Sequence, residues 1–136
     1  MYIFMPKLQS LFSILHEDNE EKKKLTDFEK ITIALELAKG FEQLHFGVNP
    51  PIAHGHLTSR NIFVERDSEI GIRVMIGDLL LQSFLNYAST FMGYKPASSW
   101  SSFEVLSNGA KPMLEPTREQ DVYSFGMVLW ELFHDA

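Results

Sequence analysis

Cysteine is absent from the 136 residues, which excludes disulfides and thiolate metal sites and permits a reducing compartment. Long apolar runs are absent as well. No stretch approaches the roughly 18–20 apolar residues a membrane helix needs, and the apolar start, Met1 to Met5, is cut by Pro6 and Lys7 too early for a secretory leader. An excess of basic charge is also missing. Twelve Lys and Arg face eighteen Asp and Glu, for a net charge of −6, which argues against nucleic acid or an anionic membrane as the main partner. There are no internal repeats and no low-complexity segments. What is present suits one globular domain: 45% hydrophobic residues are enough for a core, and the expectation is a soluble, cytoplasmic chain with no membrane insertion.

Periodicity and capping signals divide the chain. Tyr2 to Met5 reads as a short buried strand stopped by Pro6. Ser10 to His16 suits a short helix, and Glu17 to Lys24, mixed in sign and free of apolar residues, reads as a solvated loop rather than a basic docking patch. Thr26 and Glu29 form a capping box, after which Phe28, Ile31, Ala34, Leu35, Ala38, Phe41, Leu44 and His45 recur at helical steps. Gly47, Asn49, Pro50 and Pro51 end that helix. Two strands follow, Ile62 to Val64 and Ile72 to Ile76, around a polar turn. The segment 79–116 has little periodicity and many Ser, Gly, Asn and Pro, as a long functional loop does. Its hydroxyls, Ser89, Thr90 and Tyr94 among them, read as loop composition rather than as modification sites. Thr117 and Gln120 cap a last helix whose Val122 to Phe133 run is apolar nearly all round, which predicts burial on most sides.

That last helix, Asp121-Val122-Tyr123-Ser124-Phe125-Gly126-Met127-Val128-Leu129-Trp130-Glu131-Leu132, resembles the central buried helix of eukaryotic protein kinases of the tyrosine-kinase-like group. The rest is similar in kinase order. Leu35 to Gly40 with Leu44-His45 resembles the helix before the catalytic loop. His54-Gly55-His56-Leu57-Thr58-Ser59-Arg60-Asn61 occupies the place of His-Arg-Asp-Leu-x-x-x-Asn. Asp78-Leu79-Leu80 stands for Asp-Phe-Gly, and Trp100 to Leu106 for the stretch around Ala-Pro-Glu. The resemblance implies an α+β, mainly helical fold, part of a kinase large lobe. It would comprise a hinge strand (1–7), a helical part (8–53), a catalytic-type loop and β-hairpin (54–78), an activation-type segment (79–116) and the central helix (117–136). Ser10 to Glu17 and Leu57 to Arg60 look similar to stretches of integrin-linked kinase, an inactive scaffold.

The departures bear on activity. In phosphoryl transfer the protein positions reactants and stabilises charge. The resemblance puts His56 where the proton-accepting aspartate belongs, Thr58 where a lysine would face the transferred phosphate, and Gly55 where an arginine would reach a phosphorylated segment. Leu80 replaces the glycine after Asp78 and Leu79, and the chain carries no Gly-rich phosphate loop and no Val-Ala-Ile-Lys strand. His56 as a base is the weaker reading; a substituted, non-catalytic residue is the one adopted. Asn61 and Asp78 remain as oxygen donors of the kind that holds Mg²⁺, with Met5 at the nucleotide-facing hinge. No cofactor is therefore expected on this chain alone, whereas ATP and Mg²⁺ are conceivable in a longer parent. His54, Glu104, Asp121 and Trp130 are implied as structural residues, Asp121 by accepting backbone N–H groups of the catalytic-type loop. The functional expectation is a kinase-like scaffold that binds other proteins and has lost phosphoryl transfer. The alternative is a divergent protein kinase passing the γ-phosphate of ATP to Ser, Thr or Tyr. Either way, a small lobe or a partner protein should be needed to cover apolar surface.

Overall fold

The computed structural model describes residues 8–17, 24–79, 99–103 and 115–134. The hinge strand with Met5, most of the charged loop, Leu80, Glu104 and the bulk of the activation-type segment lie outside the described residues.

A two-residue strand β1 (Gln9–Ser10) leads into α1 (Leu11–His16), whose first turn is closed by Ser10 Oγ accepting the Ser13 N–H at 3.1 Å. Helix α2 (Asp27–Glu42) begins with the expected capping box: Thr26 Oγ1 accepts the Glu29 N–H at 3.2 Å and Glu29 Oε2 accepts the Thr26 N–H at 2.8 Å. It runs on through a π-helical turn (Gln43–Gly47). A 3₁₀ turn (Ser59–Asn61) then leads into the hairpin of β2 (Ile62–Asp67) and β3 (Gly71–Ile76). All three strands form one antiparallel sheet in the order β1-β2-β3, with Ile62 opposite Ile76 and Asp67 opposite Gly71. The last helix, α3 (Arg118–Phe133), carries the second expected capping box at Thr117 and Gln120.

Packing keeps part of the expected face of α2 and corrects the rest. Of the expected positions, Phe41 and His45 are buried and Ala34 and Leu44 pack on the core, whereas Phe28 is 79% exposed, Ile31 58% and Leu35 52%. Ile33 and Leu37 point inside instead, with Val128 and Leu132 of α3 and Ile62 and Val64 of β2 in the same core. Two apolar stripes overlap on this helix at the same three- and four-residue spacing. Docking against β3 and α3 selects the one with Ile33 and Leu37, a choice periodicity does not contain. Helix α3 is likewise buried along one face only: Asp121, Ser124, Val128, Glu131 and Leu132 are inside, while Val122, Tyr123, Trp130 and Phe133 are exposed. The expectation of burial on most sides is thus corrected, because the described neighbours, α2, the loop preceding β2, His16 and Trp100, all meet the one face.

Candidate functional site

The site is built from that loop and the first turn of α3. Thr117 fixes where the helix begins, so Asp121 falls in its first turn, where the helix dipole favours a carboxylate. The Asp121 carboxylate is buried and fully engaged. Oδ2 accepts the His54 N–H at 2.8 Å and the His45 Nε2–H at 2.7 Å, and Oδ1 accepts the Gly55 N–H at 2.8 Å. Asp121 thus accepts two backbone N–H groups of the catalytic-type loop, and His45, which helical periodicity reads as one more core position, is its third partner. Gly55 turns the chain into this grip with φ near 75°, a conformation glycine takes without a Cβ penalty.

His54, fully buried, ties the two halves of the site. Its Nδ1 accepts the His56 N–H at 3.1 Å and its Nε2–H donates to the Gly77 carbonyl at 2.8 Å. Asn61 completes the clamp: Nδ2 donates to the His56 carbonyl at 2.6 Å, Oδ1 accepts the Thr58 N–H at 2.9 Å, and its own carbonyl accepts the Gly77 N–H at 2.7 Å. A Cβ at Gly77 would meet the Phe63 ring at 2.8 Å, so a larger residue there would have to displace that ring. Asp78 follows at once, exposed and at φ 58°, a left-handed conformation that aspartate tolerates better than most residues. His56 is half-buried. Burial holds its imidazole below the usual pKa of 6.5, the His54 ring adds to this, and the Asp78 carboxylate opposes it. Thr58 is buried, and its Oγ1 accepts the Arg60 N–H at 3.2 Å rather than facing outward.

The buried Asp121 holds the start of the histidine-led loop, and Asn61 and Gly77 tie that loop to the strand end that precedes Asp78. Residues 2–136 match the family model described as "Protein tyrosine and serine/threonine kinase". The chain belongs to the protein kinase family. The kinase domain is 36% identical to the serine/threonine-protein kinase CTR1 of Arabidopsis thaliana over 127 residues, 90% of the chain and 14% of that protein. It is also 36% identical to the LEAF RUST 10 disease-resistance locus receptor-like protein kinase-like 1.5 of Arabidopsis thaliana over 119 residues, 80% of the chain and 18% of that protein. The chain therefore spans less than a fifth of either relative. Among solved structures, it matches the maize SIRK1 kinase domain, which was solved with AMP-PNP bound, with a TM-score of 0.69. The match has 23% identity and covers 97% of this chain and 44% of that one, which supports the partial kinase fold.

Other implied residues of this kinase domain fare differently. Met5 and Glu104 lie outside the described residues. Trp130, expected in the core, is 51% exposed and stacks on His134 with ring centroids 5.0 Å apart. The residue the sequence reading passed over is Glu131, its neighbour. Buried on the inner face of α3, Glu131 accepts His16 Nε2–H at 2.6 Å and Ser59 Oγ–H at 2.7 Å on Oε1, and Trp100 Nε1–H at 2.9 Å on Oε2. A glutamate inside an otherwise apolar helical run was the available signal, since a buried carboxylate requires partners. The two expected metal donors stand in different settings: Asn61 is buried with its Oδ1 accepting the Thr58 N–H, and Asp78 is exposed. Among the described residues, no group of three or more His, Cys, Asp and Glu side chains is gathered to hold an ion. No described helix is long and apolar enough to cross a membrane.

Proposed function

We propose that this kinase-family chain belongs to a pseudokinase: a domain that retains the kinase framework, has lost phosphoryl transfer, and acts in signalling as a scaffold for other proteins. The observation carrying this reading is the catalytic-type loop. The proton-acceptor position holds His56, an imidazole rather than a carboxylate, and the cation expected two residues on is Thr58, whose hydroxyl is turned into the loop. Transfer to a hydroxyl needs a group to receive its proton and positive charge near the migrating phosphoryl group; these two substitutions replace the carboxylate acceptor with an imidazole and remove the cation. The likeness of Leu57 to Arg60 to integrin-linked kinase belongs with this reading, as does a cytoplasmic setting.

A second reading, an active serine/threonine kinase of divergent mechanism, is favoured by a specific observation. Asn61 and Asp78 are kept and held in one clamp through His54 and Gly77, and CTR1 is by its name a serine/threonine kinase. If Mg²⁺ and ATP bind, Asn61 and Asp78 are the residues that would hold the metal, which would neutralise phosphate charge. The chain's own residues would then orient the nucleotide, with the neutral imidazole of His56 as the base.

The experiment is phosphate transfer from labelled ATP to a generic protein substrate by the whole protein that carries this chain. His56→Ala and Asp78→Ala variants serve as controls. The pseudokinase reading expects transfer no higher than that of the Asp78→Ala variant. Transfer above that control, abolished by His56→Ala, would replace it with the second reading.

A further inference from the structure

Three elements distant in sequence end on one carboxylate. His16 lies at the end of α1, Ser59 in the 3₁₀ turn of the catalytic-type loop, and Trp100 in the described end of the activation-type segment. All three donate to Glu131 of α3. The same helix fixes Trp100 a second time, because Ser124 Oγ–H donates to the Trp100 carbonyl at 2.7 Å. We propose that Glu131 is a positioning residue that couples the Trp100 segment to the Ser59–Asn61 turn, so that displacement of one loosens the other. This goes beyond the pseudokinase reading and stands whether or not the domain transfers phosphate.

The physical argument is that a buried carboxylate is tolerated only while its oxygens are supplied with donors. Oε1 is shared by His16 and Ser59, and Oε2 serves Trp100. Removing the indole donor leaves Oε2 bare, and the carboxylate must rotate or admit water to recover a partner. Either response disturbs the Oε1 bonds that hold Ser59. The turn so affected is the one whose Thr58, Arg60 and Asn61 amides bond to Asn61 Oδ1, Thr58 Oγ1 and the Thr58 carbonyl, the network that also holds the His56 carbonyl. Hydrogen-bond networks centred on one ion respond in this non-additive way.

The test is native-state hydrogen exchange on the full chain, reading the Thr58, Arg60 and Asn61 amides against the Ile33 and Leu37 amides of α2. Trp100→Phe keeps the ring and deletes the donor. It should speed exchange of the turn amides by roughly tenfold, the scale of one lost hydrogen bond to a charged group, and leave the α2 amides unchanged. In a Glu131→Gln background the same substitution should add little. Should Glu131→Gln not fold, Ser59→Ala reads the coupling from the other side. In a Trp130→Phe chain, Ser59→Ala should then shift Trp100 fluorescence to longer wavelength. Turn amides unaffected by Trp100→Phe, equal acceleration of turn and α2 amides, additive effects with Glu131→Gln, or an unmoved Trp100 emission in the Ser59→Ala chain would each overturn the coupling.

Discussion

Asp121 and His56 illustrate opposite fates for a polar side chain in one loop. Asp121 is surrounded by donors, two backbone N–H groups and the His45 ring. Asp121→Asn keeps the size but sets an amide NH₂ against at least one of these donors. It should destabilise the domain by roughly 3 kcal/mol, within the range for breaking a buried charged network, as measured by the shift of the urea midpoint. His56 instead loses by being charged. Its pKa in the folded chain lies below 6.5 because burial disfavours the imidazolium. The unfolded chain therefore binds protons more readily as pH falls. The stability His56 contributes is complete above about pH 6.5 and declines as pH drops from there toward the lowered folded-state value. Urea midpoints taken between pH 7.5 and about 5 should fall less steeply in His56→Gln than in the parent. Equal slopes would show that His56 is not the titrating group.

At the scale of elements, local chemistry proved dependable where it is self-contained. The two capping boxes at Thr26 and Thr117 are intra-turn hydrogen bonds that need no tertiary partner, and both form as expected. Thr117→Ala should cost about 1 kcal/mol and, because Asp121 sits one turn on, should also loosen the catalytic-type loop. Thermal denaturation reads the first effect, and exchange of the His54 and Gly55 amides reads the second. The hairpin turn is equally local. Asp67 Oδ1 accepts the Glu69 and Ile70 N–H groups at 2.7 and 2.9 Å, and these bonds hold its carboxyl below the usual carboxylate range. Which residues of the first half of α2 face inward was not local: of the expected stripe Phe41 and His45 are buried, whereas Phe28, Ile31 and Leu35 are exposed and Ile33 and Leu37 take the core. Both stripes satisfy a 3.6-residue period, and only the surfaces of β3 and α3 distinguish them.

For the molecule as a whole, the consequence is a large uncovered apolar surface. Phe28, Ile31 and Leu35 on α2 and Val122, Tyr123, Trp130 and Phe133 on α3 are all exposed, and apolar surface of this kind seeks a partner. The chain by itself should therefore self-associate. Sedimentation velocity should give a concentration-dependent distribution, which Ile31→Lys with Leu35→Glu shifts toward monomer while the helical circular dichroism is retained. A single monomeric species from the parent chain over a tenfold concentration range would contradict this. An apolar groove of about 280 Å³ between α2 and β3, lined by Gly40, Leu44, Val74, Ile76 and Leu79, adds to the open surface.

The sequence by itself determined the family and the capped starts of α2 and α3, because each is written in contiguous residues or in a motif of fixed spacing. It also determined the substitutions at Gly55, His56 and Thr58 on which the inactive reading rests. The tertiary structure decided which face of α2 and of α3 is buried, that Trp130 lies outside while Trp100 is bound, that Thr58 turns its hydroxyl inward, and that Glu131 gathers three donors from residues 16, 59 and 100. These depend on groups far apart in the chain meeting in space, where burial forces each polar atom to find a partner, and no local pattern specifies which partner that is.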